Sequence, residues 1–532
     1  MTDSKQIVRN LQLAPATLQS RAVTCIWEKP QAKANLAGYH VYCNDEFVAL
    51  RKPAQTHLTL TELTPDTFYR IRVVTLDAQK QAVGESEITF TTLTAASLLD
   101  VTAAPYFADA TGKTSSTTRL QQAIFDCPKG GTVLIPSGAK ILSGALQLKS
   151  NITFQVDGLL QGSSQPKDYV YTTVTAKNYA GQVNEEGLIL NRYEGWELYC
   201  YRSLLNSGYL EATNRQKITC ENVRICGTGT IRGGGDALGK AMRQDFSDIE
   251  KYPQYVSDGR PGRRVRGRLL NFIQTKNIHL TGVHLENPPG WTVHFIYCDT
   301  VTTHGVAIRS RGVDNGDGWD PDSSRNCLIF DTTFDTGDDC IAIKSGKNPE
   351  GNRINLPTEN VRIFDLAMLG GHGMAIGSEE SGGVRNVILQ DCRVENTLFG
   401  LELKAHPDRG GFIENVHVLD CQLDRFMAHS VEYNSDGAAA PTLPYFKNLT
   451  LTDCTLTGAG QVVELAGFLD PQTKKSTLTA VRLTNVTLTN PTETTSIYLT
   501  ACENVQLHHV RFATGQPVPL RQSSTAQAIV VE

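Results

Sequence analysis

Asn386-Val-Ile-Leu, Asn415-Val-His-Val and Asn448-Leu-Thr-Leu are one phrase written three times, an asparagine followed by alternating apolar residues. The phrase also stands at Asn151-Ile-Thr-Phe, Asn222-Val-Arg-Ile, Asn277-Ile-His-Leu, Asn360-Val-Arg-Ile and Asn504-Val-Gln-Leu. Unbroken neighbours lie within the roughly 20–50 residues expected of stacked repeats. Each unit has room for two or three short strands and too little between them for a helix. Such units cannot bury their apolar side alone, so they stack as a parallel β-helix in which each coil covers the next. The asparagine is expected at a turn, in a left-handed conformation, with its amide stacked on that of the next coil. Leucine-rich repeats are the competing architecture, but the leucine spacing does not match them.

Outward from the repeat, the texture changes twice. Residues 117–125 predict one amphipathic helix with Leu120, Ala123 and Ile124 on its apolar face, placed to cap the open end of the coils. Residues 164–264 read as an inserted region rich in aromatics (Tyr169, Tyr171, Tyr193, Trp196, Tyr199, Tyr201), suited either to sugar contact or to packing over the coil. Before residue 95 the strands are short and alternating, at 22–27, 38–42, 57–61, 69–74 and 86–91, with turn residues between them. That pattern, with Trp27, Gly38-Tyr39 and Leu63-Thr-Pro-Asp-Thr-Phe-Tyr69, resembles a fibronectin type III module. It is expected to be a spacer or docking module, with sugar binding as the alternative. The fold class is therefore all-β: a fibronectin type III-like β-sandwich over residues 1–95, then a right-handed parallel β-helix over 96–532.

Composition sets limits on function. A net charge of -5 over 532 residues argues against a nucleic-acid partner, although a local cationic patch could still receive an anionic substrate. The first residues carry no signal-peptide core and no stretch is long enough for a bilayer, so the expectation is a cytoplasmic protein, or a periplasmic or secreted one if a leader was removed. Thirteen cysteines with no C-x-x-C pair read as buried thiols in a reducing interior.

Chemistry concentrates between residues 314 and 404. Asp314-Asn-Gly-Asp-Gly-Trp-Asp-Pro-Asp322, Gly337-Asp-Asp339, Gly371-His-Gly373 and Glu402-Leu-Lys404 fall on successive coils. Stacked strands are about 4.8 Å apart, so these segments would share one patch. Crowded carboxylates are costly and call for a reason. A calcium loop through Asp314, Asp317, Asp320 and Asp322 is one, although it lacks a closing glutamate and Pro321 stiffens the turn. Glycosidic hydrolysis is the other, because crowding leaves one carboxyl protonated as acid and another ionised as base.

The four ordered segments resemble the signature of the polygalacturonases, glycoside hydrolase family 28, and the likeness in layout covers most of residues 100–530, including Asn287-Pro-Pro-Gly-Trp291. The resemblance implies Asp338 as general acid, Asp317 and Asp339 as the groups that activate water with inversion, and His372 as the partner of the acid. Lys404 would meet a substrate carboxylate. It implies no cofactor and no metal. Gly316 replaces the family's threonine, which is expected to change little beyond local packing. Glu402 replaces an arginine and would repel galacturonate unless rotated away or paired, with Arg409 close enough in sequence to substitute. Arg264, Arg311 and their neighbours Arg263, Arg266, Arg268, Arg309 and Lys344 supply further cations for uronate carboxylates. Trp319 and Trp291 are candidates for stacking on sugar or for core packing. His294, His304 and His417 read as structural. One tension stands: adjacent Asp338 and Asp339 should face opposite sides of a regular strand, and both reach a cleft only if the backbone turns at Gly337.

The implied activity is exo-attack on polygalacturonate or its oligomers from the non-reducing end, releasing galacturonate or digalacturonate, since long inserts would block one end of a groove. A rhamnogalacturonan or other modified-pectin hydrolase is the alternative that Glu402 keeps open, and a non-catalytic polysaccharide-binding β-helix is the alternative outside catalysis. A pectate lyase would share the coil but would need calcium and an arginine base. Neither a membrane partner nor a particular oligomeric state is implied.

Overall fold

The computed structural model describes residues 4–433, 435–491 and 495–532. The chain forms two compact units, Met1–Leu98 and Leu99–Glu532. Among the described residues no helix is long and apolar enough to cross a membrane.

The first unit is a sandwich of two antiparallel sheets. Arg9–Leu13, Val23–Glu28 and His57–Leu60 form one, and Leu36–Cys43, Glu46–Arg51, Phe68–Asp77 and Ala82–Thr91 the other. Inward residues from both faces meet around Trp27, which is fully buried and packs edge-on against Tyr39 at 5.4 Å. Arg9–Leu13 and Glu46–Arg51 carry no sequence prediction, being edge strands whose side chains are mostly exposed.

The second unit is a parallel β-helix. Among the described residues, one sheet of twelve strands and a second, larger sheet of 23 strands run the length of the coil. Their inward residues fill a single continuous core in which Ile329, Ile363, Leu389, Val418, Leu451 and Leu483 stack rung upon rung. The asparagines behave as predicted. Asn222, Asn277, Asn360, Asn386, Asn415 and Asn448 all have φ between 56° and 58°. The Asn448 amide donates to Asn415 at 2.7 Å, Asn415 to Asn386 at 3.1 Å and Asn386 to Asn360 at 3.1 Å. The ladder continues from Asn360 to Asn326 at 3.2 Å, a rung hidden in sequence because the Cys327-Leu-Ile-Phe330 that follows is apolar throughout and lacks the alternation. Thr300 and Ala480, also left-handed, fill the turn on coils where asparagine is missing.

The helix Thr117–Asp126 buries Leu120, Ala123 and Ile124. Gln121 exchanges two hydrogen bonds of 2.9 Å with the backbone of Gln147, on the first strand of the twelve-stranded sheet. It thereby occupies edge groups that would otherwise template aggregation.

The inserted region differs from its predicted form. Coil strands Leu205–Ser207, Cys220–Cys226 and Thr230–Arg232 run through it, so there are two inserts rather than one. The first holds the antiparallel pair Ile189–Tyr193 and Trp196–Cys200, and the second the helix Gly235–Gln244. Most of the aromatics pack. Tyr169 is buried and donates to Ser163 O at 2.7 Å, Tyr171 stacks on Tyr179 at 4.9 Å, Tyr201 donates to Asp245 at 2.8 Å, and Tyr193 stacks on Trp291 at 4.4 Å.

Candidate active site

The strands Trp319–Asp322, Asp339–Ile343, Gly373–Ile376 and Gly400–Ala405 are consecutive neighbours in the twelve-stranded sheet. Their outward faces, with the turns before them, bring Asp317, Asp338, Asp339, His372 and Lys404 to the lining of one cleft of about 290 Å³. The tension over adjacent aspartates resolves in a β-bulge. Asp339 pairs with Gly373 but Ile341 already pairs with Met374, so one extra residue is accommodated. Cys340 and Ile341 both face the core, which leaves Asp339 turned outward, with Asp338 on the preceding turn. Gly316 is demanded by the same tight packing: a Cβ there would lie 2.8 Å from Ser310 O, so this departure is more than a neutral exchange.

His372 binds the pair together. Its Nδ1 lies 2.9 Å from Asp338 and 3.4 Å from Asp339, and hydrogen bonds to the two carboxylates raise its pKa to about 10. Burial alone would raise Asp339, but Lys404 at 3.8 Å, with His372, holds it below the usual carboxylate range. Burial, and then the charge of Asp338, push Asp317 well above it, against the opposing pull of Lys344 at 3.4 Å. Neighbouring carboxyls are thus pushed in opposite directions, the pattern that acid-base chemistry at a glycosidic bond uses. Asp338, Asp339 and His372 lie close enough for their ligand atoms to share a cation, which would compete with the proton that the two carboxylates hold on the imidazole.

Other predicted residues lie elsewhere. Trp319 is fully buried, donates to Thr303 at 3.0 Å and packs against Phe295, so it belongs to the core and cannot stack on sugar. Trp291 does line the cleft, under the Lys344 ammonium at 4.6 Å. Arg409 is buried, donating to Ser378 O at 2.7 Å and to Asn348, and does not stand in for the missing arginine. Arg264 is buried between Glu194 and Asp436, and Arg311 is spent on Asp335. None of these three arginines is part of the cleft lining. Glu402 is paired: Lys404 and His429 each meet it at 2.8 Å. Asp314, Asp320 and Asp322 do not converge with Asp317 as a loop would require, for Asp314 meets arginines and Asp322 meets Arg192 at 3.0 Å. His294, His304 and His417 also lie outside the cleft lining.

The sequence offered Asp320 only as a calcium ligand and did not single out Glu379, Phe399, Leu398, Tyr433, Glu194 or Asp258. Asp320 lies buried beneath the cleft with neither carboxylate oxygen hydrogen-bonded, and burial, then the charge of Asp317, raise it well above the carboxylate range. Glu379, 3.8 Å from Lys344, and the rim residues Phe399, Leu398 and Tyr433 complete the lining. The first insert adds Glu194 and the second Asp258 and Arg263. Only the regular outward alternation of the strand could have pointed to Asp320.

A family model described as glycosyl hydrolases family 28 matches residues 212–510, and one described as the fibronectin type III domain matches residues 7–92. An exo-poly-alpha-D-galacturonosidase of Dickeya chrysanthemi is 24% identical over 87% of this chain and 84% of its own. An endo-polygalacturonase of Pectobacterium carotovorum is 26% identical over 66% of this chain and 79% of its own. Among solved structures, a family 28 exopolygalacturonase of Yersinia enterocolitica superposes with TM-score 0.77 at 21% identity, covering 98% of this chain and 99% of the other. An exopolygalacturonase of Thermotoga maritima does so with TM-score 0.64 at 25% identity, covering 78% and 91%.

Proposed function

Because the chain belongs to glycosyl hydrolases family 28 and is thus a glycoside hydrolase acting on pectin, we propose that it is an exo-polygalacturonase. It hydrolyses the α-1,4 bonds of polygalacturonate and its oligomers from the non-reducing end, releasing galacturonate or digalacturonate. The observation that carries the reading is the convergence of Asp317, Asp338, Asp339 and His372 on one cleft from successive coils. Asp338, the most exposed of the three carboxyls and the one beside His372, is the general acid that protonates the departing glycosidic oxygen. Asp317 and Asp339 sit deeper, where they hold and deprotonate the attacking water, giving inversion. For Asp317 to act as base it must first lose the proton that burial favours on it.

Exo-attack is supported by the two inserts, whose Glu194, Asp258 and Arg263 line the cleft, and by the names of two relatives that cover most of the chain. The setting we propose is a reducing interior, since all thirteen cysteines are free thiols and twelve are buried. Short oligogalacturonides are then the working substrate.

Incubation with trigalacturonate in chelator tests the reading. Saturated mono- or disaccharide supports it, an unsaturated product absorbing in the ultraviolet would make the protein a lyase, and no turnover of any uronate oligomer would sink it.

A further inference from the structure

The two sides of the cleft differ in charge. On the Lys404 side every cation has an acidic partner: Lys404 meets Glu402 and Asp339, and His429 meets Glu402 and, at 3.7 Å, Glu464. On the Asn315 side the balance is reversed. Four guanidinium groups converge on the single carboxylate of Asp314, from Arg260 at 2.8 Å, Arg243 at 3.4 Å, Arg266 at 3.7 Å and Arg263 at 3.9 Å.

Two of the four are already committed. Arg266 is buried and gives its donors to Arg263 O, Asp314 O and Asn315. Arg263 is shared with Asp258 at 3.0 Å and Glu194 at 3.9 Å. Arg243 and Arg260 meet no carboxylate but Asp314 among the described residues, and one carboxylate cannot saturate both forks. Both line an open cavity of about 420 Å³, together with Asp314 and with Lys240, which is itself paired with Asp236 at 2.6 Å. Burial and then the repulsion of Arg266 lower the pKa of Arg243.

This cavity adjoins the catalytic cleft. Asp314 precedes Asn315 on the loop that carries Asp317. The Asn315 side-chain carbonyl accepts from Arg263 and Arg266 at 2.6 Å each, and its amide lies 3.5 Å from Asp338. Arg263 lines the cleft itself.

We propose that Arg243 and Arg260, both on the second insert, form a subsite that binds the carboxylate of a galacturonate unit next to the cleft. The planar forks match a carboxylate in a way that a lysine would not. The proposal rests on the polygalacturonase reading, and it adds a uronate contact on the insert to the one expected of Lys404 on the strand that bears Glu402.

The test measures KM and kcat for trigalacturonate and for its methyl ester, on the wild type, Arg243→Gln and Arg260→Gln, each checked for an unchanged melting curve. The expected result is a rise in KM of about tenfold for the free acid, a much smaller change in kcat, no change for the ester, and a weaker dependence of KM on salt. Wild-type KM in both variants, or equal losses on acid and ester, overturns the subsite. Failure of the wild type to turn over trigalacturonate sinks the functional reading instead. The subsite is then decided by calorimetry of trigalacturonate with the same three proteins, and equal or absent binding overturns it.

Discussion

Lys404 and Glu402 stand two residues apart on one strand, point the same way, and meet at 2.8 Å. The acid that replaces the family's arginine is therefore held by its own neighbour, and also by His429. Burial would raise Glu402, yet His429 and Lys404 keep it below the usual range. Glu402→Gln leaves Lys404 with Asp339 alone at 3.8 Å. KM for trigalacturonate should fall by about threefold to tenfold, the effect of one additional charge-assisted hydrogen bond to substrate. An unchanged KM would show that Lys404 does not face a substrate carboxylate.

Asp338→Asn removes the proton donor while keeping the shape of the side chain. Turnover should drop by about 10²–10⁴, the usual contribution of a positioned acid, while trigalacturonate still binds in calorimetry. Retained turnover would refute its role.

His372 sets the alkaline limit. Its pKa rises from 6.5 to about 10 because Asp338 and Asp339 bond its protonated ring. A raised value stabilises the fold fully below the unfolded pKa near 6.5 and loses that contribution as pH climbs through about 10. The stability advantage of the wild type over His372→Ala should thus be largest in acid and vanish by pH 10, read from denaturant midpoints. The kcat/KM profile of the wild type should fall in the same window. A gap between the two proteins that widens with pH would contradict the ion-pair geometry.

Trp319 tests the division between core and site. Trp319→Ala should cost about 3–5 kcal/mol of stability, as large aromatic deletions do. Trp319→Phe, which refills most of the volume, should keep kcat/KM near the wild-type value. A selective loss of activity in the phenylalanine variant would return this residue to the site.

Arg192 and Asp322 form a fully buried pair at 3.0 Å. Burial, countered most by the Asp322 hydrogen bond, holds the nearby His294 down at about 3, so it brings no charge to replace the arginine. Arg192→Met strands the carboxylate and should cost about 3–5 kcal/mol, measured by denaturant unfolding. Arg192→Met with Asp322→Asn should recover much of that loss. No recovery would mean that the arginine acts through packing over Tyr297, 4.9 Å away.

Legibility in the sequence followed periodicity. Local repetition announces itself, so the asparagine turns, the coil strands and the apolar face around Leu120 could be read directly. So could the motifs that bring Asp317, Asp338, Asp339 and His372 together, because position on successive coils translates simply into proximity. What failed was side-chain direction and partnership. Trp319 and Asp320 are adjacent on one strand, and nothing local says which of them enters the core. Arg264, Arg311 and Arg409 look like free cations in sequence, yet their acceptors at Glu194, Asp335 and Ser378 are set by tertiary packing. The Cys340 bulge was inferable only as a requirement, from the need to turn two neighbouring aspartates one way.

The stacking of coils also makes catalysis a readout of assembly. Asp317, Asp339, Gly373 and Lys404 belong to four adjacent rungs, joined by hydrogen bonds across strands rather than along the chain. During refolding, activity should appear only once those four rungs have closed in register. Fraying of the rungs beyond residue 500 should lower the melting temperature well before it lowers turnover, so the two measurements would follow the end and the middle of one zipper.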